Sequence, residues 1–99
     1  MNADKKLLNA MGGYFKLFPD IDKVVLFGSR ARGDNAERSD YDIAVYGKLA
    51  AFDKVKIRSY IDEELPTLHK IDLIFMADQT NSEFISNIEN EGVKIYEKS

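Results

Sequence analysis

The sequence predicts an α/β (α+β) fold in which helices pack against a small β-sheet. Stretches with helical periodicity alternate with short apolar runs rich in β-forming residues, and this alternation gives the order α-β-α-β-α-β-α-β. A chain of 99 residues suits one domain, so we expect a single domain over residues 1–99. Since 44% of the residues are hydrophobic and none is cysteine, a hydrophobic core rather than disulfides must stabilise this fold.

The first half of the chain predicts a helix, two strands and a short helical turn between the strands. The helix should end before Pro19, because the residue preceding a proline is driven out of the helical conformation. The run KVVLF at residues 23–27 predicts a buried strand. Residues 29–33 predict a helical turn, residues 34–39 a loop and residues 40–47 a second strand. The apolar side chains that define the first helix recur at helical spacing: Leu7, Met11, Tyr14 and Phe18.

The second half predicts two helices and two strands. Residues 50–64 form a long helix and residues 70–77 a third strand. Thr80 and Glu83 have the spacing of a capping box, so we expect Thr80 to begin the next helix, with Gly92 as its C-terminal cap. The run after Gly92 predicts a final edge strand. The helix over residues 50–64 is identified by four apolar side chains: Phe52, Val55, Ile57 and Ile61.

Charge and composition exclude several classes of function. The net charge is −3, with 14 Lys and Arg against 17 Asp and Glu, so extensive binding to a nucleic-acid backbone is not expected. No stretch approaches the roughly 18 apolar residues of a membrane span. The first residues, MNADKKLLNA, lack the apolar region of a secretory signal. We therefore expect a cytoplasmic protein with no membrane partner.

Three aspartates occur where a structural strand would avoid them. Asp40 and Asp42 share one face of the second strand, about 7 Å apart, because strand side chains alternate between faces. Asp72 lies inside the apolar run KIDLIF. Buried like charges raise one another's pKa values, whereas a divalent cation such as Mg²⁺ relieves the repulsion. These three carboxylates are the predicted metal ligands and catalytic groups. The structural alternative is that Asp40 caps a turn, Asp42 faces solvent and Asp72 lies on an edge.

A Gly-Ser turn precedes these acids. Gly28 ends the first strand and Ser29 begins the helical turn, an arrangement that lets a phosphate approach the backbone. We expect this turn to bind nucleotide phosphates, together with Arg30 and Arg32. Arg38 is the third basic residue around the turn, and all three arginines could equally be solvated charges or contact an acidic partner.

The stretch GSRARGDNAERSDYD resembles the G-S-x(10)-D-x-D signature of the DNA polymerase beta-type nucleotidyltransferase superfamily. Gly28, Ser29, Asp40 and Asp42 stand at its motif positions, and Asp72 in IDLIF is similar to the third carboxylate. The length is similar to that of the minimal nucleotidyltransferases (MNT). The resemblance implies the nucleotidyltransferase fold, with a small mixed sheet, two Mg²⁺ ions held by the three aspartates, and ATP or another nucleoside triphosphate as substrate.

The same resemblance implies a partner. Minimal nucleotidyltransferases usually act with a helical protein of the HEPN class, and some of these pairs are toxin–antitoxin modules in which AMP is added to a tyrosine of the toxin. The leading hypothesis is therefore a Mg²⁺-dependent transferase that moves AMP, or another nucleotide, to a hydroxyl of such a partner. Two alternatives are an antitoxin that binds its partner without catalysis and the catalytic subunit of a small-molecule nucleotidyltransferase. A homodimer is left open.

Overall fold

A computed structural model describes residues 1–65 and 67–99, and its elements follow the predicted order. Each strand is preceded by a helix, and one short 3₁₀ helix follows the third strand. The α-helices and strands in chain order are α1 (Lys5–Phe15), β1 (Lys23–Phe27), α2 (Gly28–Arg32), β2 (Tyr41–Tyr46), α3 (Ala51–Glu63), β3 (Ile71–Phe75), the 3₁₀ helix Met76–Asp78, α4 (Ser82–Glu91) and β4 (Val93–Glu97).

The four strands form one mixed sheet in the order β3-β2-β1-β4. Strand β1 pairs antiparallel with both β2 and β4, whereas β2 pairs parallel with β3. The final strand is an edge strand, as predicted. The parallel pairing brings β3, which is distant in sequence, directly beside the strand that carries Asp42. Within the described ranges, no helix combines the length and apolar character needed to cross a membrane.

Hydrophobic clusters cover both faces of the sheet. The larger cluster joins α1 and α3 to one face and includes Ile43 and Val45 of β2. The smaller cluster lies on the opposite face and includes Ala44 of β2 with Ile88 of α4. The predicted alternation along β2 is therefore confirmed, and Asp42 lies on the face of the smaller cluster because it is two residues from Ala44.

The predicted end of α1 before Pro19 is confirmed, whereas the predicted start of α4 is wrong by one residue. Helix α1 ends at Phe15, and the following residues continue as turns in which the N–H of Phe18 donates to the carbonyl of Phe15 at 3.1 Å. Helix α4 begins after Asn81, whose side-chain oxygen accepts from the N–H of Phe84 at 3.0 Å. Asn81 rather than Thr80 is thus the N-cap, since both residue types accept such a bond and the backbone decides which one stands at the helix start.

Gly92 is the C-terminal cap of α4, as predicted, but not through a left-handed backbone. Its φ is −68° and its ψ is 145°, an extended conformation open to any residue. A β-carbon there would instead collide with the side chain of Val25 and approach the carbonyl oxygen of Ile88 to 2.6 Å. Glycine is required because helix α4 and strand β1 come so close together.

Half of the apolar residues predicted to mark the core face of α3 point away from the core. Ile57 and Ile61 are buried, whereas Phe52 and Val55 are 69% and 65% exposed. With about 3.6 residues per turn, Val55 lies about 160° around the helix from Ile57. The apolar side chains of α3 thus lie on two faces of the helix, one toward the core and one toward solvent, and do not form the single apolar stripe that the sequence suggested.

Candidate active site

Asp42 and Asp72 stand side by side on neighbouring strands. In the parallel pairing of β2 with β3 they are direct partners in register. Neighbouring strands lie about 4.8 Å apart and side chains in register point to the same face. Two carboxylates that are 30 positions apart in the sequence therefore meet on one face of the sheet.

The electrostatics of Asp42 reflect this crowding. Burial is the largest cause that raises the pKa of the Asp42 carboxyl, and the negative charges of Asp72 and then Asp40 raise it further. Arg32 acts in the opposite direction and lowers the pKa of Asp42. Asp40, Asp72 and Arg32 thus all lie within electrostatic reach of Asp42.

Asp40 lies immediately before β2, between two anchored peptide groups. The N–H of Tyr41 donates to the carbonyl of Lys70 at 3.0 Å, and the carbonyl of Ser39 accepts from the guanidinium of Arg30 at 3.0 Å. On its open side Asp40 borders a cleft of about 650 Å³. The other residues that line this cleft are Glu37, Arg38, Leu68, His69 and Lys70.

Asp72 has a basic neighbour that the sequence analysis overlooked. The Lys70 ammonium lies 3.5 Å from Oδ1 of Asp72, and their side chains are 72% and 43% exposed. An exposed ion pair of this kind contributes about 0–1 kcal/mol. The signal was present in the sequence, because residues two apart on a strand share a face. Asp72 is therefore half-exposed and has a cationic neighbour.

The three aspartates fit a hard cation in their chemistry but do not converge on one point. Carboxylate oxygens are the ligands that Mg²⁺ prefers, and the repulsion on Asp42 is the kind that a cation relieves. Across residues 1–65 and 67–99, however, no three side chains of His, Cys, Asp or Glu are grouped closely enough to hold a metal ion. The expected convergence of all three acids is thus absent from this conformation, which places two acids in register and the third just before its strand.

The Gly-Ser turn lies directly against Asp42. Gly28 has a φ of 75°, in the left-handed region that favours glycine. A β-carbon at Gly28 would collide with Oδ2 of Asp42 and lie 3.1 Å from its Cγ. At the other end of α2, the carbonyl of Ser29 accepts from the N–H groups of Gly33 and Asp34. The structure therefore brings the backbone of the glycine turn into contact with a predicted metal ligand.

The two arginines expected to bind nucleotide differ sharply in position. Arg32 lies at the edge of the site, where its half-exposed guanidinium pairs with Asp34 at 3.2 Å and Glu91 at 3.0 Å. Arg30 is only 5% exposed, and its guanidinium is held by the backbone carbonyls of residues 2, 37 and 39. Its buried position was not foreseen.

Comparison with known proteins identifies the family. Residues 9–99 match the sequence model of the family described as "Polymerase beta, Nucleotidyltransferase". A relative from Methanocaldococcus jannaschii, named "Putative protein adenylyltransferase MJ0141", is 35% identical over 80 residues, which cover 76% of this chain and 79% of the relative.

Solved structures share the fold. A chain of a toxin–antitoxin crystal structure with AMP-PNP has a TM-score of 0.70 at 17% identity, over 98% of this chain and 76% of that one. A chain from the complex of the tri-AMPylated Shewanella oneidensis HEPN toxin with its MNT antitoxin has a TM-score of 0.62 at 18% identity, over 95% of this chain and 72% of that one. The resemblance predicted from the G-S-x(10)-D-x-D signature is confirmed, and the chain belongs to the polymerase beta nucleotidyltransferase family.

Proposed function

We propose that this protein is a Mg²⁺-dependent nucleotidyltransferase that moves AMP from ATP to a hydroxyl group of a HEPN-type partner protein. The observation that carries the proposal is the contact between the Gly28 turn and Asp42, with Asp72 in register beside it. A backbone turn that phosphates can approach thus adjoins acids suited to a cation, which is the combination that phosphoryl transfer needs.

In this proposal the three acids have related tasks. Asp40, Asp42 and Asp72 would hold the metal ions, which supply charge neutralisation at the phosphates and a lower pKa for the attacking hydroxyl. Asp42 is partly buried and lies directly against the turn. Asp72 has a 43% exposed side chain, so its carboxylate is the one that an incoming hydroxyl can reach and to which it can give its proton.

The nucleotide would lie on the side of Asp42 that faces the Gly28 turn. Gly28 and Ser29 would bind its phosphates through the backbone of the turn and the serine hydroxyl. Arg32 is the basic residue placed to help, because its side chain is 44% exposed and its charge already acts on Asp42. Its ion pairs with Asp34 and Glu91 are exposed, so phosphate can compete for the guanidinium.

The acceptor is proposed from the relatives. The name of the Methanocaldococcus jannaschii protein describes a protein adenylyltransferase, and the Shewanella oneidensis structure is described as an AMPylated HEPN toxin bound to an MNT antitoxin. A net charge of −3 also disfavours a long nucleic acid as the acceptor. A helical partner protein that presents a hydroxyl side chain is the acceptor that agrees with both.

The test is transfer of label from α-³²P-ATP to a purified HEPN partner in the presence of Mg²⁺. We expect a labelled partner band with the natural protein and none with Asp42→Asn, which keeps the size of the side chain and removes its charge. The circular dichroism spectrum and the melting temperature show whether the variant is folded. Full labelling by folded Asp42→Asn would refute the proposal.

A second function, a non-catalytic antitoxin, is favoured by one observation. The described acids do not form a closed metal-binding group. Under this reading Mg²⁺ and ATP together would not raise the melting temperature, and Asp42→Asn would neutralise the partner as well as the natural protein does. A rise in melting temperature that needs both Mg²⁺ and ATP favours the enzyme instead.

A further inference from the structure

We propose that Arg30 is a positioning residue, which holds the peptide group before Asp40 in place and so sets where this carboxylate stands in the site. This inference rests on the proposed function, since it assigns a task in the same site. It replaces the role in nucleotide binding that the sequence suggested for Arg30.

The guanidinium of Arg30 binds three carbonyls from two stretches of chain, the N-terminal residues and the loop between α2 and β2. Its Nε donates to the carbonyl of Ser39 at 3.0 Å, Nη2 to the carbonyl of Glu37 at 3.1 Å and Nη1 to the carbonyl of Asn2 at 3.2 Å. One face of the group also lies against the ring of Tyr41, with Cζ 4.1 Å from the ring centre. Each of the three guanidinium nitrogens thus has an oxygen partner, and the planar fork is fixed in one orientation.

Because Arg30 is buried, loss of these hydrogen bonds would destabilise the folded protein. Arg30 is 5% exposed, and no carboxylate within the described part of the chain forms an ion pair with it. A buried cation without a counter-ion persists only where hydrogen bonds replace its water, and here backbone carbonyls do so. A guanidinium held in this way cannot bind a phosphate without giving up bonds to these carbonyls.

The consequence for the site concerns Asp40. The loop between α2 and β2 has few regular hydrogen bonds of its own, one of which joins the N–H of Ser39 to the carbonyl of Ala36. Arg30 fixes the peptide group between Ser39 and Asp40, and the next N–H, that of Tyr41, is fixed by the carbonyl of Lys70. Hydrogen bonds therefore hold the backbone on both sides of Asp40. Arg30 provides the bond before it, and the backbone of Lys70 provides the bond after it.

Lysine cannot replace Arg30 in this task. Its ammonium is a single point that cannot span three carbonyls in a plane or stack on Tyr41. We expect Arg30→Lys to lower kcat about tenfold or more and to leave KM for ATP within about twofold, because the misplaced group is a carboxylate and not a phosphate ligand. We also expect weaker binding of Mn²⁺ alone, measured without nucleotide by water-proton relaxation.

Ile61→Val is the matched control for lost stability. Ile61 is buried in the larger core cluster and is not among the groups that the guanidinium of Arg30 contacts, so we expect this variant to lower the melting temperature without moving Asp40. All kinetic measurements are made well below the melting temperatures, where every variant is folded. If Arg30→Lys does not fold, Arg30→Gln takes its place, because the amide donates to one carbonyl without burying a charge.

Backbone hydrogen exchange in the metal-free protein separates this inference from the proposed function. Arg30→Lys should speed exchange of the hydrogen-bonded Ser39 and Tyr41 amides, and Ile61→Val should not. Unchanged exchange at these amides overturns the inference whether or not the protein transfers nucleotides. A raised KM for ATP with unchanged kcat also overturns it and makes Arg30 a nucleotide ligand. If the natural protein neither binds Mn²⁺ nor transfers AMP, the proposed function fails and this role of Arg30 fails with it.

Discussion

Replacing Gly28 by alanine tests whether the glycine turn and Asp42 act as one unit. The new β-carbon meets two difficulties. The backbone φ of 75° is strained for alanine by about 1–2 kcal/mol. The same β-carbon also collides with Oδ2 of Asp42 and lies 3.1 Å from Cγ. Since non-bonded atoms settle at about 3.5–4.0 Å, the carboxylate must move away by on the order of 1 Å.

Gly33→Ala is a control for the backbone strain without the collision. Gly33 has a φ of 87°, and the nearest atom to a β-carbon there is the backbone nitrogen of Met1 at 3.8 Å, an ordinary contact. Gly33→Ala should therefore lose about 1–2 kcal/mol of unfolding free energy from backbone strain and keep its activity. Gly28→Ala should lose a similar amount or more and, because its carboxylate is displaced, about 100-fold in kcat.

Urea unfolding and AMP transfer to the HEPN partner, both measured on the two variants, test these expected changes in stability and kcat. The difference in kcat between Gly28→Ala and Gly33→Ala isolates the collision from the strain. Equal activity of the two alanine variants would refute the reasoning, because it would mean that the Asp42 carboxylate is not needed where the structure places it.

Two further predictions concern stability. Because burial and the charges of Asp72 and Asp40 raise the pKa of Asp42 in the folded state, Asp42 favours folding in its protonated form, and this contribution is lost as the pH rises through the raised pKa. In urea unfolding without Mg²⁺, Asp42→Asn should thus have a larger unfolding free energy than the natural protein at pH 7. This difference in unfolding free energy should shrink as the pH falls through the raised pKa of Asp42. A larger unfolding free energy of the natural protein at pH 7 would contradict the prediction. At the start of α4, Asn81→Ala should lower the unfolding free energy by about 1 kcal/mol while Thr80→Ala changes it by less than about 0.5 kcal/mol, and the reverse order in thermal or urea unfolding would restore Thr80 as the cap.

The sequence alone was sufficient for the features that depend on near neighbours. Alternation along β2 and β3 placed Asp42 and Asp72 on defined faces, and the strand pairing confirms that these faces coincide. The family could also be inferred from the sequence, because the motif from Gly28 to Asp42 lies within one short stretch. Side-chain periodicity and a fixed spacing are local properties, and the order of residues determines them directly.

Tertiary structure decided what depends on contacts between distant residues. The neighbour of Asp42 is Asp72 because β3 joins the edge of β2 in parallel register, which no local pattern specifies. The guanidinium of Arg30 is held by the carbonyls of residues 2, 37 and 39, two of which lie in the loop after α2 and one near the N-terminus. Phe52 is exposed to solvent because α3 packs with a different face against the core. A residue's type sets what it can bind, but the packing of the whole chain sets which partners reach it, since burial is a property of the assembled fold.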